Sequence, residues 1–255
     1  MILTSALRSL LPAVILILFA GCSNMYEANV FASFDGPPEA SELRNGSARR
    51  IAEAAESPQF FDELRNDPDA RTAIQNRLRE IYNDENASER EVRTASALSA
   101  TIEIETTDGA AVVNNLVDVF LDEGSDGDFS DPGTLVRNVF PDSVRNDPEA
   151  LAAQIESFNQ AADAYEVYGN GLTEENQPEG TNSGEVAQRA AVAILVSELS
   201  DQAGGSDALA QDIGSDDSLE GYSDPTESTV GAEDNPTSLR NILDVAGLTS
   251  VVEGS

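Results

Sequence analysis

The chain has 255 residues and a formal net charge of −33, from 47 acidic side chains against 14 basic ones, with no His and a single Cys. All the basic residues are Arg, and a field of this sign repels nucleic acid and anionic headgroups. Without His, Lys or a cysteine pair, the composition excludes Ser–His and Cys–His nucleophiles, ordinary zinc sites, Schiff-base chemistry and a disulfide scaffold.

The chain opens on MILTSALRS, with one positive charge at Arg8, followed by the apolar run Leu10 to Ala20, small Gly21 and Cys22. Eleven apolar residues are too few to span a bilayer, which takes about 20. A charged start, a short apolar core and a small-residue exit are the layout of a cleaved export signal. Ala20-Gly21 before Cys22 resembles the lipobox of bacterial lipoproteins, with Phe19 where Leu is usual. The resemblance implies that residues 1–21 are a signal peptide removed before Cys22, and that Cys22 is the lipid-attachment residue. More than one acyl chain then makes a stable anchor. Ser23 at the second mature position, by analogy with enteric lipoproteins, points to the cell envelope at the outer membrane or cell surface.

Residues 22–40 read as a tether with turn chemistry at Gly36-Pro37-Pro38, carrying Tyr26, Phe31 and Phe34 to dock onto the folded body or, alternatively, to bind a partner. From 41 to 203 the period is helical. Four N-cap–Pro pairs mark helix starts: Ser57-Pro58, Asp67-Pro68, Asp131-Pro132 and Asp147-Pro148. Ile74, Leu78 and Ile81 form one apolar stripe; Leu151, Ile155, Phe158, Ala162 and Tyr165 form another. A helix over 89–106 carries Val92, Ala95, Leu98 and Ile102, and its stretch Ile102 to Glu105 could also pass for a strand, with no partner nearby. Residues 110–121 read as mostly buried and 184–199 as an Ala- and Val-rich helix. The fold class expected is all-α, as antiparallel helical hairpins or a short helical-repeat bundle.

An internal repeat supports the second form. Leu64-Arg-Asn-Asp-Pro-Asp-Ala70 recurs 80 positions on as Val144-Arg-Asn-Asp-Pro-Glu-Ala150, with Phe60 matching Phe140 and Leu78 matching Phe158. A shorter echo relates 132–140 to 236–243. Units that bury their faces against neighbours stack into bundles or short solenoids. Residues 204–236, with nine acids and no basic residue, read as an acidic disordered linker. Residues 237–255 read as a last helix and tail.

Two carboxylate features carry candidate chemistry. The segment Asp122 to Gly133 resembles an EF-hand calcium loop at Asp122, Asp126, Gly127 and Phe129, but has Gly124 and Gly133 where ligands belong; otherwise it is an acidic loop ending in the Asp131 cap. Gln154-Ile-Glu-Ser-Phe158 with Gly171-Leu172 resembles the Glu-Ser core and Gly-Leu turn of lytic transglycosylases, which implies Glu156 as general acid/base. Phe158 comes one residue early, and Thr173-Glu174 stand where Met-Gln is usual. The acids are spread through helices and loops alike, a pattern that favours adaptation to high salt over a dedicated anionic binding surface. The expected function is a non-enzymatic, lipid-anchored envelope protein with a helical scaffold or interaction role, no cofactor or metal, a membrane contact through its anchor and a protein partner. The alternatives are a small-ligand or calcium-binding lipoprotein and, third, a peptidoglycan-cleaving enzyme.

Overall fold

The computed structural model describes residues 40–122, 139–215, 222, 231–232 and 235–248. Residues 1–39, which hold the expected signal peptide, Cys22 and the expected tether, and residues 123–138 lie outside the described residues. The architecture is all-α, as the periodicity predicts. A 3-10 turn over Ala40–Asn45 leads into α1 (Ala48–Ala55), α2 (Pro58–Asn66), α3 (Pro68–Tyr82), α4 (Glu89–Glu105) and α5 (Gly109–Asp122). After residue 138 follow α6 (Asp142–Arg145), α7 (Pro148–Gly169), α8 (Ser183–Ala203), α9 (Ser206–Gly214) and α10 (Ser238–Val245).

The helix starts are those the sequence punctuates. Asp67 and Asp147 cap α3 and α7, and each is followed by Pro at the first helical position, where its missing N–H costs nothing. α4 begins with a reciprocal capping box: Ser88 Oγ accepts from the Glu91 amide, and the Glu91 carboxylate accepts from the Ser88 amide. Ile102 to Glu105 belong to this helix and not to a strand.

The repeat is a repeat of structure. Asp67 Oδ1 accepts from the Ala70 amide at 2.9 Å, and Asp147 Oδ1 accepts from Glu149 and Ala150 at 3.1 and 3.2 Å. Asn66 and Asn146 each donate from Nδ2 to the carbonyl four residues back, at 2.7 and 2.8 Å, and so close the preceding helix. Arg65 pairs with Asp62 and Arg145 with Asp142. Leu64 and Val144 are buried beside these caps, as are Phe60 and Phe140. A short helix, an Asn-Asp-Pro joint and a long helix hairpinned to a second long helix thus occur twice, as α2–α3–α4 and α6–α7–α8.

Each unit fills its own core. The first is built on Leu43, Ile51, Phe60, Leu64, Ile74 and Leu78; the second on Phe140, Leu151, Phe158, Tyr165, Leu199 and Ile213. α4 walls both, giving Ala95, Leu98 and Ile102 to the first and Ala100 and Ile104 to the second. Its burial therefore runs round the helix and is not confined to one stripe, and its broadest packing is onto α7 of the other unit.

Within the stretch 204–236, read from composition as a disordered linker, the described residues 204–215 continue the fold. Gly204, at φ 91°, reverses the chain after α8, and the Gly205 amide donates to the Ser200 carbonyl at 2.8 Å. α9 then folds back along α7 and buries Leu209, Ala210 and Ile213, while Asp207 stays exposed. Averaged over the whole stretch, the acids conceal a nine-residue amphipathic helix. Further on, Gly231–Ala232 pair antiparallel with Asn235–Pro236. The last helix docks as well: α10 buries Leu239, Ile242 and Leu243 against α7 and α8. Its approach needs Gly169, where a Cβ would stand 2.3 Å from the Ser238 carbonyl oxygen.

Candidate binding groove between the two helical units

A groove of about 550 Å³ runs along the joint of the two units, between α3 and α7, with α4 beneath. Each helix lines it at helical spacing: Arg71, Gln75 and Arg79 from α3, Glu103 from α4, and Gln154, Ser157 and Gln160 from α7. No aromatic ring lines it, so it offers no stacking platform.

Two buried amides fix the floor. Gln75 Nε2 donates to the Ser99 carbonyl at 3.0 Å and its Oε1 accepts from Ser99 Oγ at 2.6 Å, which fastens α3 to α4. Gln154 Oε1 accepts from the Asp108 amide at 3.0 Å and its Nε2 donates to Thr107 Oγ1 at 3.2 Å, which fastens α7 to the turn after α4. Both amides use donor and acceptor at once, which satisfies them without water.

Glu103 lies between them and is not satisfied in this way. It is 9% exposed, lines the groove, and its carboxylate makes no hydrogen bond or ion pair among the described residues. Burial pushes its carboxyl above the usual carboxylate range; Arg71 and Arg79 hold it back in part, and Glu156 adds to the rise. Two arginines line the same groove. Arg49, Arg65, Arg77, Arg90, Arg145 and Arg189 each hold a carboxylate. Arg71 and Arg79 form no ion pair among the described residues: Arg71 donates to the Thr106 hydroxyl at 3.5 Å, and Arg79 to the side-chain Oδ1 of Asn76 at 3.1 Å. In a chain where acids outnumber arginines more than threefold, two guanidinium groups sit in the same groove as Glu103 without an ion-pair contact.

The structure separates the parts of the transglycosylase resemblance. Glu156 is exposed on the groove's α7 rim, where its carboxylate accepts from Gln160 at 3.1 Å and from Ser206 at 3.5 Å. Gly171 and Leu172 lie beyond the far end of α7, about 20 Å further along the helix axis. They form a turn at φ 64° clasped by Arg93, whose guanidinium donates to the Asn170 and Gly171 carbonyls at 3.2 and 2.7 Å. Phe158 is a core residue. Thr173 and Glu174 are exposed beyond the turn. Asp122 ends α5, and the rest of the calcium-loop resemblance, 123–133, lies outside the described residues, as does Cys22, expected from the lipobox resemblance to carry the lipid. Among the described residues no group of three or more His, Cys, Asp or Glu side chains is placed to hold a metal ion, and no helix is long and apolar enough to cross a membrane.

Sequence reasoning passed over Glu103, Arg71 and Arg79. On a single helix, charges at this spacing are indistinguishable from a solvated face; only the packing of α7 turns them into a groove. The chain matches no family model, no curated protein and no solved structure.

Proposed function

We propose that this chain is a lipid-anchored protein of the cell envelope, held by acyl chains on Cys22, and that its helical body has a scaffold or interaction role and no catalytic one. The observation that supports the interaction role is the pairing of two helical units around a joint lined by unpaired charges. Stacked helical units present extended surfaces for partners. Nothing brought together in the groove supplies an activated nucleophile, and the one acid singled out for catalysis, Glu156, stands in solvent. The acidic exterior keeps such a body hydrated and away from anionic headgroups, so the anchor carries the membrane contact. The placement at the outer membrane rests on Ser23 after the lipidated cysteine.

Membrane fractionation of Cys22→Ala tests the anchor: the protein is expected in the soluble fraction with the mass of the uncleaved precursor. A variant that still pellets with membranes at the mature mass overturns the anchor. Crosslinking in intact cells followed by membrane purification tests the interaction role, with a defined envelope protein expected in the crosslinked species.

A further inference from the structure

The groove contains one buried acid, Glu103, and two half-buried cations, Arg71 and Arg79, that form no ion pair among the described residues. The Glu103 carboxylate accepts no hydrogen bond from the described residues and opens to the groove, so a charged donor from outside can reach it. Arg71 and Arg79 call for the opposite partner, an acceptor with negative charge; a guanidinium takes a carboxylate with two parallel hydrogen bonds. A ligand that meets both demands carries an ammonium and a carboxylate. It must also be close to neutral overall, because the field of a chain at −33 opposes a net anion.

The register of the helices sets the length. Gln75 meets Ser99 and Arg71 meets Thr106, so α3 and α4 run antiparallel and Glu103 lies level with Arg71. Arg79 is two turns on, about 12 Å of helix axis. An extended chain covers about 3.3–3.6 Å per residue, so a peptide of two or three residues bridges Glu103 and Arg79 once the side chains' reach is subtracted. Between those ends, Asn76 on α3 and Ser157 and Gln160 on α7 face the groove with groups that can meet peptide N–H and C=O. The absence of an aromatic platform disfavours a sugar.

We propose that the groove is a binding site for a short zwitterionic peptide, whose free amino end is received by Glu103 and whose carboxylate is received by Arg79. This goes beyond the anchored-scaffold reading and stands without it, since every residue invoked lies between positions 71 and 160 and none concerns Cys22.

The test is calorimetric titration of the purified full-length chain with trialanine, N-acetyl-trialanine and trialanine amide. Trialanine is expected to bind, and each blocked peptide to bind about tenfold more weakly, the loss expected for one charge-assisted hydrogen-bonded contact. Glu103→Gln should remove the preference for the free amino end and leave the preference for the free carboxylate; Arg79→Gln should do the reverse. Thermal melts of both variants run alongside, so that a loss of binding with an unchanged or raised melting temperature is not a loss of folding. Equal binding of the three peptides, or no heat from trialanine at a concentration of about 10 mM, overturns the proposal. A discrimination that survives both substitutions places any binding elsewhere and overturns it too. Failure of the Cys22→Ala fractionation would leave these titrations unaffected.

Discussion

The two helical units start alike and are finished differently. α2–α3 and α6–α7 share an Asn that closes one helix, an Asp that caps the next, and an Arg–Asp pair beside them. Beyond the joint, the first unit continues with helices of 15 and 17 residues and the second with 22 and 21. The first core places Leu78 where the second has Phe158, whose ring meets Phe140 edge to face with centroids 6.4 Å apart. The second core also buries Tyr165 and Tyr168 completely and is roofed by α9 and α10. Turn and cap geometry tolerates few residue types, so it is kept residue by residue. A core needs only to be filled to density, so its side chains differ.

The largest expected effect breaks the second core. Phe158→Ala should cost about 3–5 kcal/mol, and Leu78→Ala about 2–5 kcal/mol, in urea denaturation. The Phe158 change should be the more damaging because it also removes the edge-to-face ring contact. If the two cores are as separate as their side chains, hydrogen exchange should quicken first in the unit carrying the substitution.

Next in size is Gly169→Ala, at about 1–3 kcal/mol, because the new Cβ meets the Ser238 carbonyl rather than a side chain that can move away. In a free helix the same change would stabilise by about 1 kcal/mol, so its sign reports the docking of α10. The Asn241 side chain, which donates to the Gly169 carbonyl at 2.9 Å, should lose that bond, and amide exchange across α10 should rise. The acids Glu166, Glu198 and Asp201 beside Thr237 and Ser238 suit the partial positive charge at the start of this helix.

The caps give a finer comparison. Asp67→Ala and Asp147→Ala should each cost about 1 kcal/mol in thermal or urea unfolding, with Asp147 the larger because it accepts from two amides and Asp67 from one. An equal or reversed order would show that the repeated joints carry different loads.

The smallest effect is a gain. Glu103→Gln should raise the melting temperature at neutral pH and leave it unchanged in acid. The folded protein holds the Glu103 proton to a higher pH than the unfolded chain, which releases it near the ordinary 4.5. Stability from this group is thus full below 4.5 and falls as pH rises through the folded value. Burial also raises Asp163 and Glu166, each with like charges adding to the rise, so mild acidification should stabilise the second unit in the same way. Glu91 runs the opposite way. Its hydrogen bonds with Ser88 hold its carboxyl below the ordinary 4.5, so the contribution of the α4 capping box is present above that value and lost as pH falls through the folded one. A melting curve recorded against pH separates the two directions.

The sequence by itself determined the local decisions. Asp-Pro pairs, Ser88 with Glu91, and apolar residues three and four apart act over a single helical turn, so they can be read without knowing what lies opposite. That made the all-α class, the helix starts and the repeated joint legible. An average over composition hid a short period at 206–214, where Leu209, Ala210 and Ile213 are enough to seat α9. What only the tertiary structure decided is which helix faces which. α4 shows one apolar stripe in sequence and is buried nearly all round, because two cores close on it from opposite sides. Glu103 reads as one more acid among 47 until α7 crosses it. The crossing removes water from a carboxylate and leaves it facing Arg71 and Arg79. A buried charge is made by distant parts of the chain meeting, and no local pattern records the meeting.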